Sequence, residues 1–225
     1  MFGKTKSSCG SRVNQLAEAT SIHWHGIELD SYYDGVHGWS GAGSRVAPMI
    51  EPGQTFTVRF TPLRAGTFSY HTHLHDDRQL NSGMYGALVV LEPDEVFDPV
   101  VDHVVVIGRD GLGRDASVVL NGLRDAQLSW KAGTRHRVRY INITPGDILV
   151  VSLGTADAPV DWRPLAKDGA PVPAELSGPR SATQTIAVGE TYDFEVQTPP
   201  GRQSLWINVR TPAGRWQTQA RVNVK

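Results

Sequence analysis

The sequence of 225 residues has little cysteine, no excess of charge of one sign and no long apolar run. Its 22 basic residues face 23 acidic ones, so the composition indicates no nucleic-acid or other polyanionic partner. No apolar run approaches the roughly 20 residues of a membrane-spanning helix, and we expect no membrane span. The single cysteine, Cys9, lies in a polar stretch without a neighbouring histidine or a signal-peptide core, and we interpret it as an incidental free thiol. The sequence therefore leaves the cellular location open.

Histidine is concentrated in two places. Five of the eight histidines lie in the short runs HWH and HTHLH, where histidine occupies every second position. Residues i and i+2 of a β-strand share one face. We therefore expect His23 and His25 to project together, and His71, His73 and His75 to do the same on a neighbouring strand. Converging imidazoles suit copper, zinc, iron or nickel, so the pattern predicts a metal site.

A single H-x-H pair has an ordinary alternative, which is the exposed polar face of a strand. Two such runs in one chain, the second followed by GMYG, favour the metal site. The other three histidines, His37, His103 and His136, are better interpreted as ordinary structural residues. A zinc hydrolase is disfavoured because no glutamate stands in a zinc-base motif such as H-E-x-x-H.

The sequence predicts short strands separated by turns over most of the chain, with glycine (23) and proline (14) spread throughout. This spacing predicts an all-β sandwich architecture rather than βαβ units. One short helical piece is predicted, around residues 77–81. The predicted strands are FTVRF (56–60), FSYHTHLH (68–75), GALVVLE (86–92), DPVVDHVVVIG, HRVRYINIT (136–144), DILVVSLG (147–154), TQTIAVG, TYDFEVQ, SLWINVR and QARVNV.

Residues 16–93 resemble the first copper-binding domain of a multicopper oxidase of the laccase group. The motifs HWHG, DGV, PGQTFTVRF, AGTFSYHTH and GMYGALVV carry this likeness. Further along, VLNG, KAGTRHRVRYINIT, WRPLAKDGAPVP and VGETYDFEV resemble the copper-free middle domain of that family. The resemblance implies two tandem cupredoxin-like Greek-key β-sandwiches, over residues 1–95 and 103–225, joined by a linker at 96–102. An exported or periplasmic location is common in the family.

Family members have further strands before the HWHG motif, whereas only about twenty residues precede it here. We therefore expect the first sandwich to be N-terminally incomplete, with an open sheet edge and exposed apolar surface. Such an edge invites pairing, so a homo-oligomer or a missing third domain is an expected partner.

The resemblance also implies roles for the histidines. His23 would bind the type 2 copper, and His25, His71 and His73 would bind the type 3 pair. His75 departs from the family pattern. It is left open as an extra ligand, as a group that orients a ligand, or as a solvent-facing residue.

Acidic residues near the two runs have several interpretations. Asp34 matches a position where the family keeps an acid close to the type 2 copper, which implies a proton relay during dioxygen reduction. It could instead orient an imidazole by accepting its second N–H, or be a turn residue before Gly35. For Asp76 and Asp77 a helix N-cap is the favoured interpretation. Met84 of GMYG is interpreted as a packing residue.

A mononuclear blue copper site needs a cysteine thiolate and two histidines, which the family supplies from an H-C-H motif. Cys9 has no such context, so a blue copper site is not expected. The partner motifs H-x-x-H-x-H and H-C-H do not occur between residues 94 and 225. The chain therefore holds one domain's share of a three-copper cluster.

Two functions remain open, and the sequence does not decide whether the chain is an enzyme. One is a laccase-like multicopper oxidase, or a fragment of one, that couples oxidation of a small phenolic-type aromatic reductant to reduction of dioxygen. The other is a non-catalytic copper-binding cupredoxin module that needs a partner chain or missing domain for activity.

Overall fold

The computed structural model describes residues 2–3, 8–113 and 116–225. The side chains of residues 2–12, and that of Asp76, lie outside this description. The interpretation of Cys9 as a free thiol therefore stays a prediction, although its backbone lies in a strand opposite Arg59.

Helices are few and short in the described chain. Helix α2 (Asp76–Gln79) confirms the predicted helical piece, although it begins one residue earlier. The expectation that no other helix occurs is wrong, because α1 (Ser31–Asp34) precedes it. Asp30 caps α1 by accepting a hydrogen bond from the Tyr32 N–H at 2.9 Å, and Gly35 ends it in a left-handed conformation. No helix of the described residues is long and apolar enough to cross a membrane.

Eight strands lie in the described part of the N-terminal half. They make a four-stranded sheet in the order β1-β8-β7-β3 and two ribbons, β2-β6 and β4-β5. The strands are β1 (Phe2–Gly3), β2 (Ser8–Val13), β3 (Ile22–His25), β4 (Gly41–Ala42), β5 (Arg45–Val46), β6 (Thr55–Phe60), β7 (Gly66–Thr72) and β8 (Tyr85–Leu91).

The C-terminal half forms two larger sheets. One has the order β10-β9-β12-β18-β14-β15, with β16 paired to β14, and the other has the order β11-β20-β19-β13-β17. The strands are β9 (Asp102–Asp110), β10 (Ser117–Leu120), β11 (Asp125–Trp130), β12 (Arg135–Asn142), β13 (Leu149–Gly154), β14 (Asp161–Lys167), β15 (Ala170–Pro171), β16 (Arg180–Ser181), β17 (Thr183–Ile186), β18 (Thr191–Gln197), β19 (Gln203–Arg210) and β20 (Trp216–Val224).

The two halves have cores of unequal size. Alternating apolar residues from both C-terminal sheets meet in one large buried cluster, in which the rings of Trp162 and Phe194 stack 3.8 Å apart. The core of the N-terminal half is a small cluster around Phe68 and Leu88, flanked by partly buried aromatic side chains. Apolar burial therefore stabilises the C-terminal half far more than the N-terminal half.

The halves meet through a third apolar cluster and through a buried hydrogen bond from Thr67 to Asp193. Leu80, beside α2, packs against Val106, Ile141 and Ile143 of the C-terminal half. Strand β8 ends at Leu91 and β9 begins at Asp102, so the predicted linker at 96–102 lies between these two strands except for its last residue, which begins β9. The domain boundaries themselves stay a prediction.

Candidate metal centre

The two histidine runs lie side by side, as the period of two predicted. Strands β3 and β7 pair antiparallel, with His23 opposite His71 and His25 opposite Ser69. Trp24 projects from the other face of β3, where its ring contacts those of Phe60 and Tyr70 at centroid distances of 5.3 and 5.6 Å. The histidines therefore share one face of the sheet, and aromatic packing holds the opposite face.

Three imidazoles converge on one small volume. One ring nitrogen from each of His23, His25 and His71 lies within 4.8 Å of the other two. The ring centroids are 5.4 Å apart for His23 and His25, 5.2 Å for His23 and His71, and 5.6 Å for His25 and His71. We refer to these three residues as the histidine cluster.

The expectation that His71, His73 and His75 share a strand face is wrong, because β7 ends at Thr72. There the Thr72 hydroxyl bonds with Gln79 of α2 at 2.8 Å and accepts from the Leu74 N–H at 3.3 Å, which turns the chain out of the sheet. His73 remains close, with its ring centroid 5.6 Å from that of His23. Its role as a ligand stays a prediction.

His75 occupies a different environment. It is exposed and has φ of 53°, in the left-handed region. Its carbonyl accepts hydrogen bonds from the N–H groups of Arg78 and Gln79 at the start of α2. Both Asp76 and Asp77 lie inside α2 rather than before it, so the N-cap interpretation of these residues is wrong. The ligand role of His75 stays a prediction.

Hydrogen bonds fix which ring nitrogen of each histidine faces the centre. The His71 Nδ1–H donates to the Thr72 carbonyl at 2.6 Å. The His23 Nδ1–H reaches the Asp34 carbonyl at 3.2 Å and its carboxylate Oδ1 at 3.1 Å. The Nε2 atoms of both rings are therefore free of these bonds. The His71 Nε2 lies 3.4 Å from His25 Nδ1, so His25 faces the cluster with Nδ1, whereas His23 and His71 face it with Nε2.

Asp34 lies where it can orient a ligand. It ends α1 directly before Gly35, and its second carboxylate oxygen accepts a hydrogen bond from the Ser40 hydroxyl at 2.9 Å. A carboxylate that accepts the second N–H of a metal-binding imidazole fixes the tautomer and raises the basicity of the ligand. This contact supports the orienting interpretation, and the proton relay stays a prediction.

Two rings of the histidine cluster, His25 and His71, have a lowered pKa and are neutral at physiological pH. The pKa of His71 is lowered to about 4, chiefly by burial and also by the neighbouring histidines, while the hydrogen bond to the Thr72 carbonyl opposes the shift. The pKa of His25 is also lowered, first by burial and then by the charge of His23. A neutral imidazole is the form that binds a metal, so burial prepares these rings as ligands.

The residues present fit a copper ion. All three ligand atoms of the cluster are imidazole nitrogens, which suit copper. Ser69, opposite His25 in the sheet, carries a buried hydroxyl that has no hydrogen-bond partner among the described residues. A polar atom left unpaired beside converging ring nitrogens is expected where a further polar group completes the site.

Met84 is half-buried, and its packing role stays a prediction. It lines a largely apolar pocket beside Leu16, Ile22 and Ile50. This pocket lies in the N-terminal half, next to the ribbon formed by β2 and β6.

The C-terminal half reaches the histidine cluster, and sequence reasoning missed this contact. A cleft of about 150 Å³ lies between the halves, with His25 on one side and Val188, Gly189 and Glu190 on the other. The resemblance assigns the stretch VGETYDFEV to the copper-free middle domain and implies no contact with a metal site. No local pattern could have placed it against His25, because the two are separated by more than 160 positions.

His103 and His136 lie in the C-terminal half, away from the histidine cluster, and hydrogen bonds engage three of their four ring nitrogens. The His103 Nε2–H donates to His136 Nδ1 at 2.9 Å, and the His136 Nε2–H donates to the Lys131 carbonyl at 2.9 Å. Both rings stack with Trp130, at centroid distances of 4.8 and 5.1 Å. Their hydrogen bonds and packing are those of structural residues.

The fold is that of cupredoxin-type copper proteins. A laccase-like multi-copper oxidase, CueO from Ochrobactrum sp., superposes on 100% of this chain with a TM-score of 0.81 at 21% identity, and the match covers 53% of that chain. This likeness confirms the predicted fold class of tandem cupredoxin-like β-sandwiches.

Sequence comparisons define the family more narrowly. Residues 11–95 match the family model described as multicopper oxidase. Copper resistance protein A of Pseudomonas syringae pv. tomato is 42% identical over 95 residues, which cover 42% of this chain and 14% of that protein. Laccase-2 of Botryotinia fuckeliana is 26% identical over 244 residues, which cover 93% of this chain and 38% of that protein.

Residues 11–95 therefore form a domain of the multicopper oxidase family, which includes the laccases, and copper is the metal of this family. The chain spans less than two fifths of the length of these two curated relatives.

Proposed function

We propose that the chain binds copper at its histidines as part of a laccase-like multicopper oxidase, which couples oxidation of phenolic-type donors to reduction of dioxygen. The observation that carries this proposal is the convergence of three ring nitrogens from two paired strands of a multicopper oxidase domain. By the family pattern His23 would hold the type 2 copper, and His25, His71 and His73 the type 3 pair. Copper, when bound, supplies one-electron chemistry between an organic donor and dioxygen.

The residues of the chain bind and orient in this scheme. Burial keeps His25 and His71 neutral, and the Thr72 carbonyl holds the His71 ring so that Nε2 faces the centre. Asp34 holds the His23 ring through Nδ1. Reduction of dioxygen to water consumes protons, and by the family pattern the Asp34 carboxylate would relay them beside His23.

A second candidate function is a non-catalytic copper-binding module. The observation that favours it is the ligand set, because the ring nitrogens brought together in the described chain amount to one domain's share of a family cluster. A second copy of this chain or another domain would then complete the site.

Copper content tests the binding site. The double variant His25→Ala/His73→Ala should lose most of the copper that the wild-type chain retains after dialysis, because it removes ligands from both histidine runs. Metal per chain is measured by mass spectrometry, and folding by circular dichroism. The control is His37→Ala, which removes a histidine from the exposed loop after α1 and should keep full copper content. Unchanged copper in a folded double variant would show that the metal binds elsewhere.

Oxygen uptake separates the two functions. The copper-loaded chain is incubated with a phenolic donor, and dioxygen consumption is followed with an electrode against a metal-free control. Sustained uptake that the double variant lacks supports the oxidase. Copper binding without uptake supports the module, and light scattering then tests whether the chain assembles with itself.

A further inference from the structure

We propose that Gly189, on a turn of the C-terminal half, is a positioning residue for the copper ligand His25. The half of the molecule without cluster histidines would then set the geometry of the metal site. This inference rests on the proposed function, since it takes His25 as a ligand.

Gly189 approaches the His25 ring more closely than any side chain would allow. A Cβ built on Gly189 would lie 2.5 Å from His25 Nε2 and 2.7 Å from Cε1. Non-bonded carbon atoms find their optimal separation at about 3.5–4.0 Å, so even an alanine methyl overlaps the ring. The bare glycine backbone therefore forms the surface against which the imidazole rests.

The contact falls on the side of the ring that faces away from the cluster. His25 points Nδ1 towards His71 Nε2 and presents Nε2 to Gly189. Any displacement of the ring at Nε2 must also move Nδ1, because the imidazole is rigid. A metal site tolerates only about 0.5 Å of such error in its ligands.

The turn that carries Gly189 is held in place. Residues 187–190 form a β-turn closed by the Glu190 N–H and the Ala187 carbonyl at 3.2 Å, with Gly189 at its third position and φ of 78°. The Gly189 N–H donates to the carbonyl of Asn142, a fully buried residue, at 2.8 Å. The Glu190 carboxylate accepts from the Ala187 N–H at 2.8 Å and pairs with Lys167 at 2.6 Å.

The strand opposite His25 is fixed to the same half. The Thr67 hydroxyl of β7 donates to the Asp193 carboxylate at 2.6 Å and accepts from Arg139 at 2.9 Å. The Thr191 hydroxyl donates to the Thr67 carbonyl at 2.8 Å. Neither the turn nor the sheet can retreat without breaking buried hydrogen bonds. A side chain at position 189 must therefore displace the His25 ring.

Substitutions at Gly189 test this role. Gly189→Ala should weaken copper binding by about 10- to 100-fold, the loss typical when the support of a metal ligand is removed. It should also change the electron paramagnetic resonance spectrum of the bound copper. The matched control is Gly214→Ala, because Gly214 has a similar φ of 84° and nothing within 4 Å of an added Cβ. The control carries the same backbone strain and should keep wild-type copper affinity and spectrum.

A second variant covers the case in which Gly189→Ala does not fold. Asparagine tolerates positive φ better than alanine does but has the same Cβ, so Gly189→Asn should fold and still weaken binding. Dissociation constants are measured by competition with a chelator. Equal affinity and an unchanged spectrum in a folded Gly189 variant would overturn the positioning role.

The metal-free protein provides a readout that does not depend on copper. In the wild-type chain the Gly189 α-protons should show nuclear Overhauser contacts to the His25 ring, and Gly189→Ala should shift the His25 ring resonances more than Gly214→Ala does. Assigned spectra without such contacts would overturn the inference. Failure of the proposed function would instead appear as wild-type copper content that does not depend on His25 and His73.

Discussion

Two groups of histidines in this molecule are built in opposite ways. In the N-terminal half, His23 and His71 use Nδ1 for hydrogen bonds to the protein and leave Nε2 pointing into a shared centre. In the C-terminal half, His103 bonds directly to His136, whose remaining nitrogen donates to a carbonyl. In the first group the nitrogens that face the centre make one long contact, 3.4 Å between His71 Nε2 and His25 Nδ1. In the second group, which we call the closed pair, two hydrogen bonds of 2.9 Å engage three of the four ring nitrogens.

The difference shows that proximity of imidazoles does not by itself make a metal site. A ring nitrogen can bind a metal only if its lone pair is not already used as a hydrogen-bond acceptor or replaced by a proton. The closed pair is also stacked on Trp130 within the large core, where burial makes it part of the packing. We therefore expect the two groups to respond oppositely to substitution, one in metal binding and the other in stability.

The largest expected effect is on the stability of the closed pair. His136→Ala should destabilise the chain by about 2–4 kcal/mol, because it opens a cavity beside Trp130, leaves the His103 donor unpaired and removes one of the two hydrogen bonds to the Lys131 carbonyl, which Thr198 also bonds. Urea denaturation of the metal-free protein measures this loss, while copper content per folded chain should not change. A folded His136→Ala variant that lost copper would erase the distinction between the two groups.

A smaller effect is expected at the edge of the histidine cluster. Asp34→Asn should weaken copper binding by about tenfold, since a neutral amide holds the His23 N–H less strongly than a carboxylate does. Stability of the metal-free chain should change by less than about 1 kcal/mol, because Asp34 is partly exposed. Chelator competition and urea denaturation give the two values. Asp94→Asn, an exposed carboxylate after β8, is the control, and equal copper affinity in both variants would argue against an orienting role for Asp34.

The side-by-side placement of the histidine runs could be predicted from sequence because it depends on a local rule. Alternation along β3 and β7 put the histidines on one face, and pairing of His23 with His71 followed. The end of β7 could not be predicted in this way. It depends on the Thr72 hydroxyl and on Gln79, a bond between two elements that only the folded chain brings together. The alternation predicts a strand to residue 75, three residues beyond the observed end of β7 at Thr72.

Two other features were missed for physical reasons. Strand β14 contains Pro164, which weakens a strand prediction, and the structure places a register shift between Pro164 and Ala166. The support of His25 by Gly189 depends on the docking of one half against the other. Contacts of this kind have no local sequence signal, so the convergence of the histidines could be predicted and the approach of Gly189 to His25 could not.

The smallest expected effect is the dependence of stability on pH in the closed pair. The pKa of His103 is lowered to about 4, chiefly by burial and also by the charge of His136, while Asp98 opposes the shift. Burial also lowers the pKa of His136, against the hydrogen bond to the Lys131 carbonyl. The unfolded chain has a histidine pKa of about 6.5, so between pH 6.5 and 4 it binds more protons than the folded chain does. Stability should therefore fall as the pH falls through this window and be constant above about pH 7.5.

His103→Gln isolates this contribution, because glutamine keeps an N–H donor for His136 but cannot be protonated. Since His103 is partly exposed, we expect the variant to lose about 1 kcal/mol less stability than the wild type between pH 7 and pH 4. Urea denaturation of the metal-free proteins at a series of pH values measures the difference, with His37→Gln as the exposed control. The His25 and His71 contributions are common to all three proteins and cancel in the comparison. Identical acid slopes in wild type and His103→Gln would mean that the closed pair takes up protons without opening, and that the two groups of histidines differ less than their hydrogen bonds indicate.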